Sequence, residues 1–201
     1  MTESRADAGT IARTRSLAAV LWSWLARPSA RYSLGALLLA GSAAGMVLLM
    51  VADWSLHATS SETFCRSCHE MDQTSYHEYQ TSPHDQNRSG VRATCPDCHV
   101  PHDMLPKIRR KIAASSEVFH HLTGQIDTVE KFEEHRLEMA QSVWRTMKET
   151  DSRECRSCHA FDRMDLARQS DRGRESHIKA ETSGETCIDC HKGIAHRLPA
   201  E

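Results

Sequence analysis

The stretch Cys65-Arg66-Ser67-Cys68-His69 has the pattern C-x-x-C-H, which occurs four times in this 201-residue chain. The other three copies are Cys95-Pro96-Asp97-Cys98-His99, Cys155-Arg156-Ser157-Cys158-His159 and Cys187-Ile188-Asp189-Cys190-His191. In c-type haem attachment, the two thiols of this pattern form thioether bonds to the haem vinyl groups and the histidine ligates the iron. Because all eight cysteines lie inside these motifs, the sequence predicts four covalently bound haem c groups.

Zinc sites and disulfides are the competing explanations for the cysteines. A zinc site with C-x-x-C spacing does not need a histidine directly after its second cysteine, still less four times. Four haems would use every cysteine, so we expect no disulfide. Aromatic residues make up only 5% of the chain, and four large, flat porphyrins would serve as the core of its soluble part. No basic stripe with interleaved aromatic residues appears, so we expect no nucleic-acid partner.

An apolar segment precedes the first motif. Residues 32–52 contain no charged side chain, and a helix of this length would span about 31 Å, which matches the hydrocarbon core of a bilayer. Tyr32 and Trp54 flank it, as in the aromatic belts of membrane proteins. A cleaved signal peptide is the alternative, but the apolar run is longer than a usual signal-peptide core.

The charges around this segment predict its orientation. Arginine is in excess over acidic residues in 1–31, and the positive-inside rule then places the N-terminus in the cytoplasm. We therefore predict a basic cytoplasmic segment at 1–31, a single-pass anchor in the cytoplasmic (inner) membrane at 32–52 and a periplasmic haem domain at 53–201. Within 1–31, the stretch Leu17–Leu25 is either a membrane-interface segment or part of a disordered tail.

The predicted haem domain contains an internal repeat, with halves at about 60–103 and about 152–198. Each half begins with C-R-S-C-H and continues through a histidine to a second motif that ends D-C-H. His84 and His177 precede the second-motif histidine by 15 and 14 residues, and His102 and His196 follow it by three and five. This correspondence predicts a duplicated two-haem unit.

The repeat also supplies enough histidines for the irons, since four low-spin haems with two histidines each need eight ligands. The motif histidines provide one set of ligands: His69, His99, His159 and His191. The distal set has one candidate in each repeat-equivalent position: His84, His102, His177 and His196. The other histidines are interpreted as surface or hydrogen-bonded residues: His57, His77, His120, His121 and His135. Met71, two residues after His69, is an alternative thioether ligand or a packing residue.

Two helices are predicted between the halves. The first covers Met104–Phe119, and its Lys107, Arg110 and Lys111 lie on one face. That basic face is either solvated, in contact with anionic lipid, or partly used to bind a quinone carbonyl. The second helix is predicted to begin with Asp127 as its N-cap. No strand-like alternation is present, so the predicted fold class is mostly α with haem-held loops.

The chain resembles the NapC/NirT family of membrane-anchored multihaem quinol dehydrogenases. The resemblance rests on the anchor, the four motifs in order, and the stretches Leu56-His57-Ala58-Thr59-Ser60, Cys98-His99-Val100-Pro101-His102 and Asp189-Cys190-His191-Lys192-Gly193-Ile194-Ala195-His196. It implies oxidation of membrane quinol and electron transfer to a periplasmic nitrate or nitrite reductase in anaerobic respiration or denitrification. The alternatives are an anchored electron wire without its own quinol site and a structural or haem-handling role.

The resemblance also implies roles for single residues. His84, His177 and His196 match the distal ligands of the third, fourth and second haems. Met71 matches a ligand of the first haem. Glu117 matches an acidic residue near the other face of that haem, and Lys111 matches a lysine of the quinol site. Relatives often carry aspartate where this chain has Glu117, so the first iron is left with His69 or Met71 on one side and His102 or Glu117 on the other. Lys111 would orient the quinol oxygen and Glu117 would accept its proton.

Overall fold

The structure is a computed structural model that describes residues 16–25, 28 and 30–200. The chain divides into two compact units, Met1–Ala52 and Asp53–Glu201. Most of the predicted basic segment 1–31 lies outside the described residues. The stretch Leu17–Leu25, left open between an interface segment and a tail, forms helix α1 (Leu17–Leu25).

The apolar segment forms helix α2 (Leu34–Ala58). Its most apolar window has a mean hydropathy of 2.2 and buries none of its residues, so by length and composition it is suited to cross a membrane. The helix runs six residues past Ala52, because no glycine or proline interrupts 53–58. Hydroxyl groups cover its last carbonyls: Thr59 Oγ1 donates to Ser55 O at 2.8 Å and Ser60 Oγ to Leu56 O at 2.7 Å.

Three longer helices organise the second unit, namely α3 (Met104–Leu122), α4 (Val129–Glu149) and α5 (Asp171–Ser183). Short helical turns accompany the motifs, at Glu62–Cys65, His69–Met71, His77–Tyr79, Cys95–His99, Arg153–Arg156 and Cys187–Cys190. A π-helical turn spans Asp72–Tyr76, and 3-10 turns span Phe161–Arg163 and Leu166–Arg168. No strand occurs in the described part of the chain, and the predicted mostly helical fold class is confirmed.

The start of α4 corrects one sequence prediction. Thr128, not Asp127, is the N-cap, and its Oγ1 accepts a hydrogen bond from the Lys131 backbone N–H at 3.3 Å. Asp127 instead accepts from Lys131 Nζ at 2.7 Å. Both residues are good capping types, and their order along the chain does not reveal which one adopts the extended backbone that a cap needs.

The end of α4 is a left-handed turn of two residues. Asp151 and Ser152 have φ angles of 52° and 48°, a conformation that residues with a Cβ rarely adopt. Ser152 is fully buried, and its Oγ accepts a hydrogen bond from the Ile188 backbone N–H at 3.2 Å. The turn therefore fixes the third motif, which begins at Cys155, against the fourth.

Side chains alone supply very little core. Among the described residues, the buried hydrophobic side chains are Tyr79, Phe132 and Ile188. A domain of this length normally buries far more apolar surface than three side chains provide. The observation agrees with the expectation that porphyrins supply most of the interior.

A buried arginine joins three parts of the haem domain. Arg136 on α4 donates from Nη2 to Glu78 Oε1 at 2.8 Å and from Nη1 to Glu78 Oε2 at 3.0 Å, and its Nε donates to Glu133 Oε2 at 2.7 Å. The Arg197 backbone N–H also donates to Glu78, at 2.8 Å. Because Arg197 follows His196, this network holds the C-terminal segment that carries a predicted ligand.

Candidate functional site

The four attachment segments contact one another in the order of the chain. Glu62–Cys65 contacts Cys95–His99, which in turn contacts Arg153–Arg156. Cys155 lies near Cys187 at the start of the fourth motif, and the pKa of its thiol is raised by burial and by this neighbour. No cysteine of the eight is paired with another in a disulfide, so each motif has both sulfurs available for thioether formation. Neighbouring attachment points place neighbouring haem sites next to each other.

The second and fourth motifs share one local structure. The backbone N–H of Thr94 donates to Asp97 Oδ2 at 2.7 Å, and that of Thr186 donates to Asp189 Oδ2 at 2.8 Å. Each motif is therefore a capped helical turn in which the aspartate between the cysteines stabilises the turn's start. In the fourth motif, a hydrogen bond from Lys148 Nζ lowers the pKa of Asp189 to about 2.

Three pairs of histidine rings have the spacing that a shared metal ion requires. An imidazole nitrogen binds a transition metal at about 2 Å and the ring centre lies about 1.2 Å further out, so two rings on opposite sides of one ion have centres about 6.3 Å apart. The observed distances are 6.2 Å for His84 and His159, 6.1 Å for His99 and His196, and 5.9 Å for His177 and His191. These side chains would hold the third, second and fourth haems, in the pairing that the resemblance implies.

Hydrogen bonds orient two of the distal rings. His177 Nδ1 lies 2.6 Å from Gln169 Oε1, and His196 Nδ1 lies 3.1 Å from the Ser75 carbonyl oxygen. A hydrogen bond at Nδ1 leaves Nε2 as the metal-binding atom and fixes the ring. His84 Nδ1 is buried without a hydrogen-bond partner. Burial lowers the pKa of His99 to about 4 and also lowers that of His196, which favours the neutral imidazole that binds metals.

A cavity of about 410 Å³ lies beside His196. Its lining comes from two segments of the chain, within 77–83 and 193–197. His196, a ligand candidate of the second haem, lies in its wall.

The first motif has a different arrangement. The ring nearest to His69 is His121 on α3, with ring centres 6.5 Å apart. The Glu70 carboxylate, which is only 2% exposed, contacts both rings: Oε1 lies 2.7 Å from His121 Nδ1 and Oε2 lies 3.6 Å from His69 Nδ1. Two imidazoles on opposite sides of one iron point their Nδ1 atoms away from each other, so a carboxylate shared by both does not suit that arrangement. The first site is therefore chemically distinct from the other three.

The sequence interpretation missed the part played by His121 and Glu70. It treated His121 as an ordinary histidine and did not single out Glu70. The two are 51 residues apart, and no spacing rule connects them. The remaining first-site candidates are not assembled around one point: Met71 is half-buried beside Glu70, whereas His102 is exposed and makes no hydrogen bond or ring contact with the described residues.

The two quinol-site candidates, Lys111 and Glu117, both lie on α3. Lys111 Nζ donates a hydrogen bond to the Thr59 backbone carbonyl, and burial lowers the pKa of this half-buried lysine. Cys65 of the first motif is close enough to act on Lys111 electrostatically. The Glu117 carboxylate is 60% exposed and lies 2.9 Å from Arg110 Nη1. The structure thus brings Lys111 to the first motif but pairs Glu117 with an arginine.

Known proteins match nearly the whole chain in sequence. The model of the NapC/NirT cytochrome c family, N-terminal region, matches residues 27–201. Cytochrome c-type protein NapC of Escherichia coli (strain K12) is 52% identical over 89% of each chain. Denitrification system component NirT of Stutzerimonas stutzeri is 51% identical over 87% of each.

A third relative carries the haem number in its name. A putative tetraheme cytochrome-c type protein of Allochromatium vinosum is 48% identical over 78% of this chain and 85% of its own length. These matches confirm the resemblance that the motifs and their flanking stretches indicated. With its four attachment motifs and its apolar N-terminal helix, this chain belongs to the NapC/NirT cytochrome c family.

Proposed function

We propose that this protein is a membrane-anchored tetrahaem cytochrome c that oxidises quinol and passes the electrons to a periplasmic reductase. The observation that carries the proposal is that the attachment segments meet in chain order. The first contacts the second, the second contacts the third, and Cys155 of the third motif lies near Cys187 of the fourth. Haem c supplies one-electron redox chemistry when bound. Sites that touch in sequence give one continuous route from the first motif, near the anchor, to the fourth.

The chain's own residues hold the cofactors in three uniform sites and one special site. The ring pairs His84–His159, His99–His196 and His177–His191, whose spacing fits a shared metal ion, would hold the irons of the third, second and fourth haems. At the first haem, we assign Met71 as the ligand on the motif side, as the resemblance implies, with the Glu70 carboxylate 3.6 Å from His69 Nδ1. A thioether raises the reduction potential relative to imidazole, so the first haem is a suitable acceptor for the first electron.

Quinol oxidation also needs groups that bind the quinol and take its protons. Lys111 is half-buried next to Cys65, and its ammonium group is a donor suited to a quinol oxygen. On binding, that oxygen would replace the Thr59 carbonyl as the partner of Nζ. Glu117 is the proposed proton acceptor, and it must leave Arg110 to act.

Localisation and partner follow from α2 and from the relatives. We assign α2 as an uncleaved anchor with the N-terminus in the cytoplasm and the haem domain in the periplasm, consistent with the arginine excess in 1–31. The similarity to NirT, a denitrification system component, supports a nitrate or nitrite reductase as the electron acceptor.

Reduction by a quinol analogue tests this function. The purified full-length protein in lipid nanodiscs should be reduced by a short-chain quinol. Lys111→Gln should lower the rate of this haem reduction about tenfold or more, because one charge-assisted hydrogen bond to the quinol is lost. Lys107→Gln, on the same helix, is the matched control and should keep the wild-type rate. Dithionite should reduce all haems in each variant.

One alternative is favoured by a specific observation. Lys111 and Glu117 are both engaged by protein partners, Thr59 and Arg110, as expected of an electron wire that binds no quinol. Failure of the quinol analogue to reduce the wild-type protein, with dithionite still effective, would establish that alternative and refute the quinol site.

A further inference from the structure

The ring of His177, the distal ligand candidate of the fourth haem, is held by two side chains. Its Nδ1 lies 2.6 Å from Gln169 Oε1. The Phe161 ring packs edge-on against it, with ring centres 6.1 Å apart and the two planes at 87°. These contacts restrict rotation of the half-buried His177 ring, so the protein itself sets the orientation of this ring toward His191.

Ligation determines the direction of the hydrogen bond to Gln169. A neutral imidazole carries one ring proton, and the nitrogen that binds a metal is the one without it. With Nε2 on the iron, Nδ1 carries the proton and donates it, and the acceptor of a glutamine amide is its oxygen. Gln169 therefore stabilises the tautomer of His177 that can bind iron.

The local structure places the Gln169 amide within reach of His177. Gln169 follows the 3-10 turn Leu166–Arg168, and Ser170 is the N-cap of α5, where its Oγ accepts from the Gly173 backbone N–H at 3.2 Å. Gly173 lies one helical turn before His177. A Cβ at 173 would lie 3.2 Å from Ser170 Oγ and 3.8 Å from Gln169 Oε1, so the glycine keeps the space beside the cap and the amide open.

A side-chain acceptor distinguishes this site from that of the second haem. There, His196 Nδ1 lies 3.1 Å from the backbone carbonyl oxygen of Ser75, an acceptor that every residue type at 75 would supply. A hydrogen bond from Nδ1 raises the basicity of an imidazole ligand. A more basic ligand stabilises ferric over ferrous iron, which lowers the reduction potential of the haem.

We propose that Gln169 is a positioning residue of the fourth haem, which acts through His177 to lower the reduction potential of that haem. The inference rests on the proposed ligation by His177 and not on quinol oxidation. The fourth motif is the end of the proposed route from the anchor. A lower potential there makes the reduced fourth haem a stronger electron donor, which favours transfer of the electron to an acceptor outside the chain.

Two substitutions of Gln169 should shift one potential in opposite directions in the full-length, haem-loaded protein in nanodiscs. Gln169→Leu removes the acceptor, so the potential of one haem should rise. Its ferric-to-ferrous ratio at a fixed ambient potential should fall about threefold or more, the size of one net hydrogen bond. Gln169→Glu supplies a carboxylate, which is a stronger acceptor, and the potential of the same haem should fall below the wild-type value.

Redox titration with dithionite and soluble mediators, followed by absorbance, measures these potentials. Gln141→Leu, at an exposed position of α4, is the matched control and should leave every potential unchanged. His177→Ala identifies the haem that responds, because it should turn one low-spin haem high-spin. In the double variant His177→Ala/Gln169→Leu, the loss of Gln169 should then change no potential further, since no imidazole remains to donate to it.

Three results overturn the proposal, and they can be told apart. Unchanged potentials in both Gln169 variants, with one haem turned high-spin by His177→Ala, would leave the ligation intact and refute the role of Gln169. Shifts of the same sign in Gln169→Leu and Gln169→Glu would show a general disturbance of the site and not the loss of an acceptor. An unchanged low-spin count in His177→Ala would refute the proposed ligation itself and, with it, this inference.

Discussion

At the scale of single residues, Glu70 is the side chain that makes the first site unlike the others. Its carboxylate is buried between His69 and His121, and its Oε2 has no hydrogen-bond partner. The other three sites pair two rings directly. Met71, two residues after His69, already indicated that the first haem differs from the others, but the Glu70–His121 contact spans 51 residues, which no local pattern encodes.

The distal histidines can be tested one at a time. Replacing His84, His177 or His196 by alanine should convert one low-spin haem to high-spin, because the sixth position of the iron opens. Low-temperature magnetic circular dichroism and electron paramagnetic resonance count the two spin states. His135→Ala is the control, since this exposed residue only bonds the Lys131 carbonyl, at 2.9 Å. An unchanged low-spin count removes the substituted histidine from the ligand set.

Met71 permits an equally direct test. Met71→Leu keeps the volume and removes the thioether, so one haem should lose its methionine signature in the near-infrared and its reduction potential should fall. Redox titration followed by absorbance measures the potentials. Met104→Leu, at an exposed position of α3, should change nothing. If Met71→Leu leaves every potential unaltered, Met71 packs against the ring without ligating the iron.

At the scale of the elements, Arg136 connects α4 to the turn His77–Tyr79 and to the C-terminal segment. Arg136→Ala would leave the Glu78 and Glu133 carboxylates without their main partner, and breaking a buried pair costs about 3–5 kcal/mol. The free energy of unfolding in guanidinium should fall by about this amount, with partial loss of His196 ligation. Arg145 is exposed on the same helix, so Arg145→Ala should change the free energy of unfolding very little. Equal decreases in both variants would contradict the stabilising role of the Arg136 network.

The fourth motif predicts a pH dependence. The Lys148 hydrogen bond lowers the pKa of Asp189 from the ordinary 3.8 to about 2. A carboxyl group whose pKa is lower in the folded protein stabilises it above the unfolded pKa, and this stabilisation is lost as pH falls through the folded value. Wild-type stability should therefore decline between about pH 4 and pH 2.

Two variants isolate this effect. Asp189→Asn and Lys148→Gln should each flatten the decline, as measured by denaturant unfolding at successive pH values. A decline of the same size in Asp189→Asn as in wild type would assign the acid sensitivity to other groups.

The elements also show where sequence patterns succeed and where they fail. Helix α3 was predicted from Met104 to Phe119, and it extends to Leu122, because nothing in its last turn opposes the helix. The amphipathic pattern of α3 correctly indicated two faces. It did not reveal that the polar face packs inward, since periodicity records which residues share a face and not what that face contacts.

At the scale of the whole molecule, the sequence predicted the class of the fold through its motifs rather than through a hydrophobic core. Ordinary packing signals are weak here, because the buried hydrophobic side chains among the described residues are so few. The first attachment segment contacts the second and the second contacts the third, and Cys155 of the third motif lies near Cys187 of the fourth. The repeat predicted two pairs of neighbouring sites. The contact between the second and third motifs could not be predicted from the repeat and is seen only in the structure.

Intact mass tests the whole assembly. The purified protein should carry four haems, retain residues 1–52 and sediment with membranes, because α2 remains as the anchor. Mass spectrometry of the undigested protein reports both haem number and N-terminus. Fewer than four haems, or a mature start beyond residue 52, would contradict the proposed architecture.

The scarcity of buried side chains has a consequence for how the protein is made. A polypeptide that owes its interior to its cofactors cannot finish folding before those cofactors are attached, so its biogenesis is ordered by covalent chemistry, one motif after another. Chains that emerge when haem is scarce present eight reactive thiols and no stable interior, which makes them substrates for proteolysis and for mistaken disulfide formation. The cellular level of this protein should therefore follow haem supply and the capacity of the attachment machinery as closely as it follows transcription of its gene.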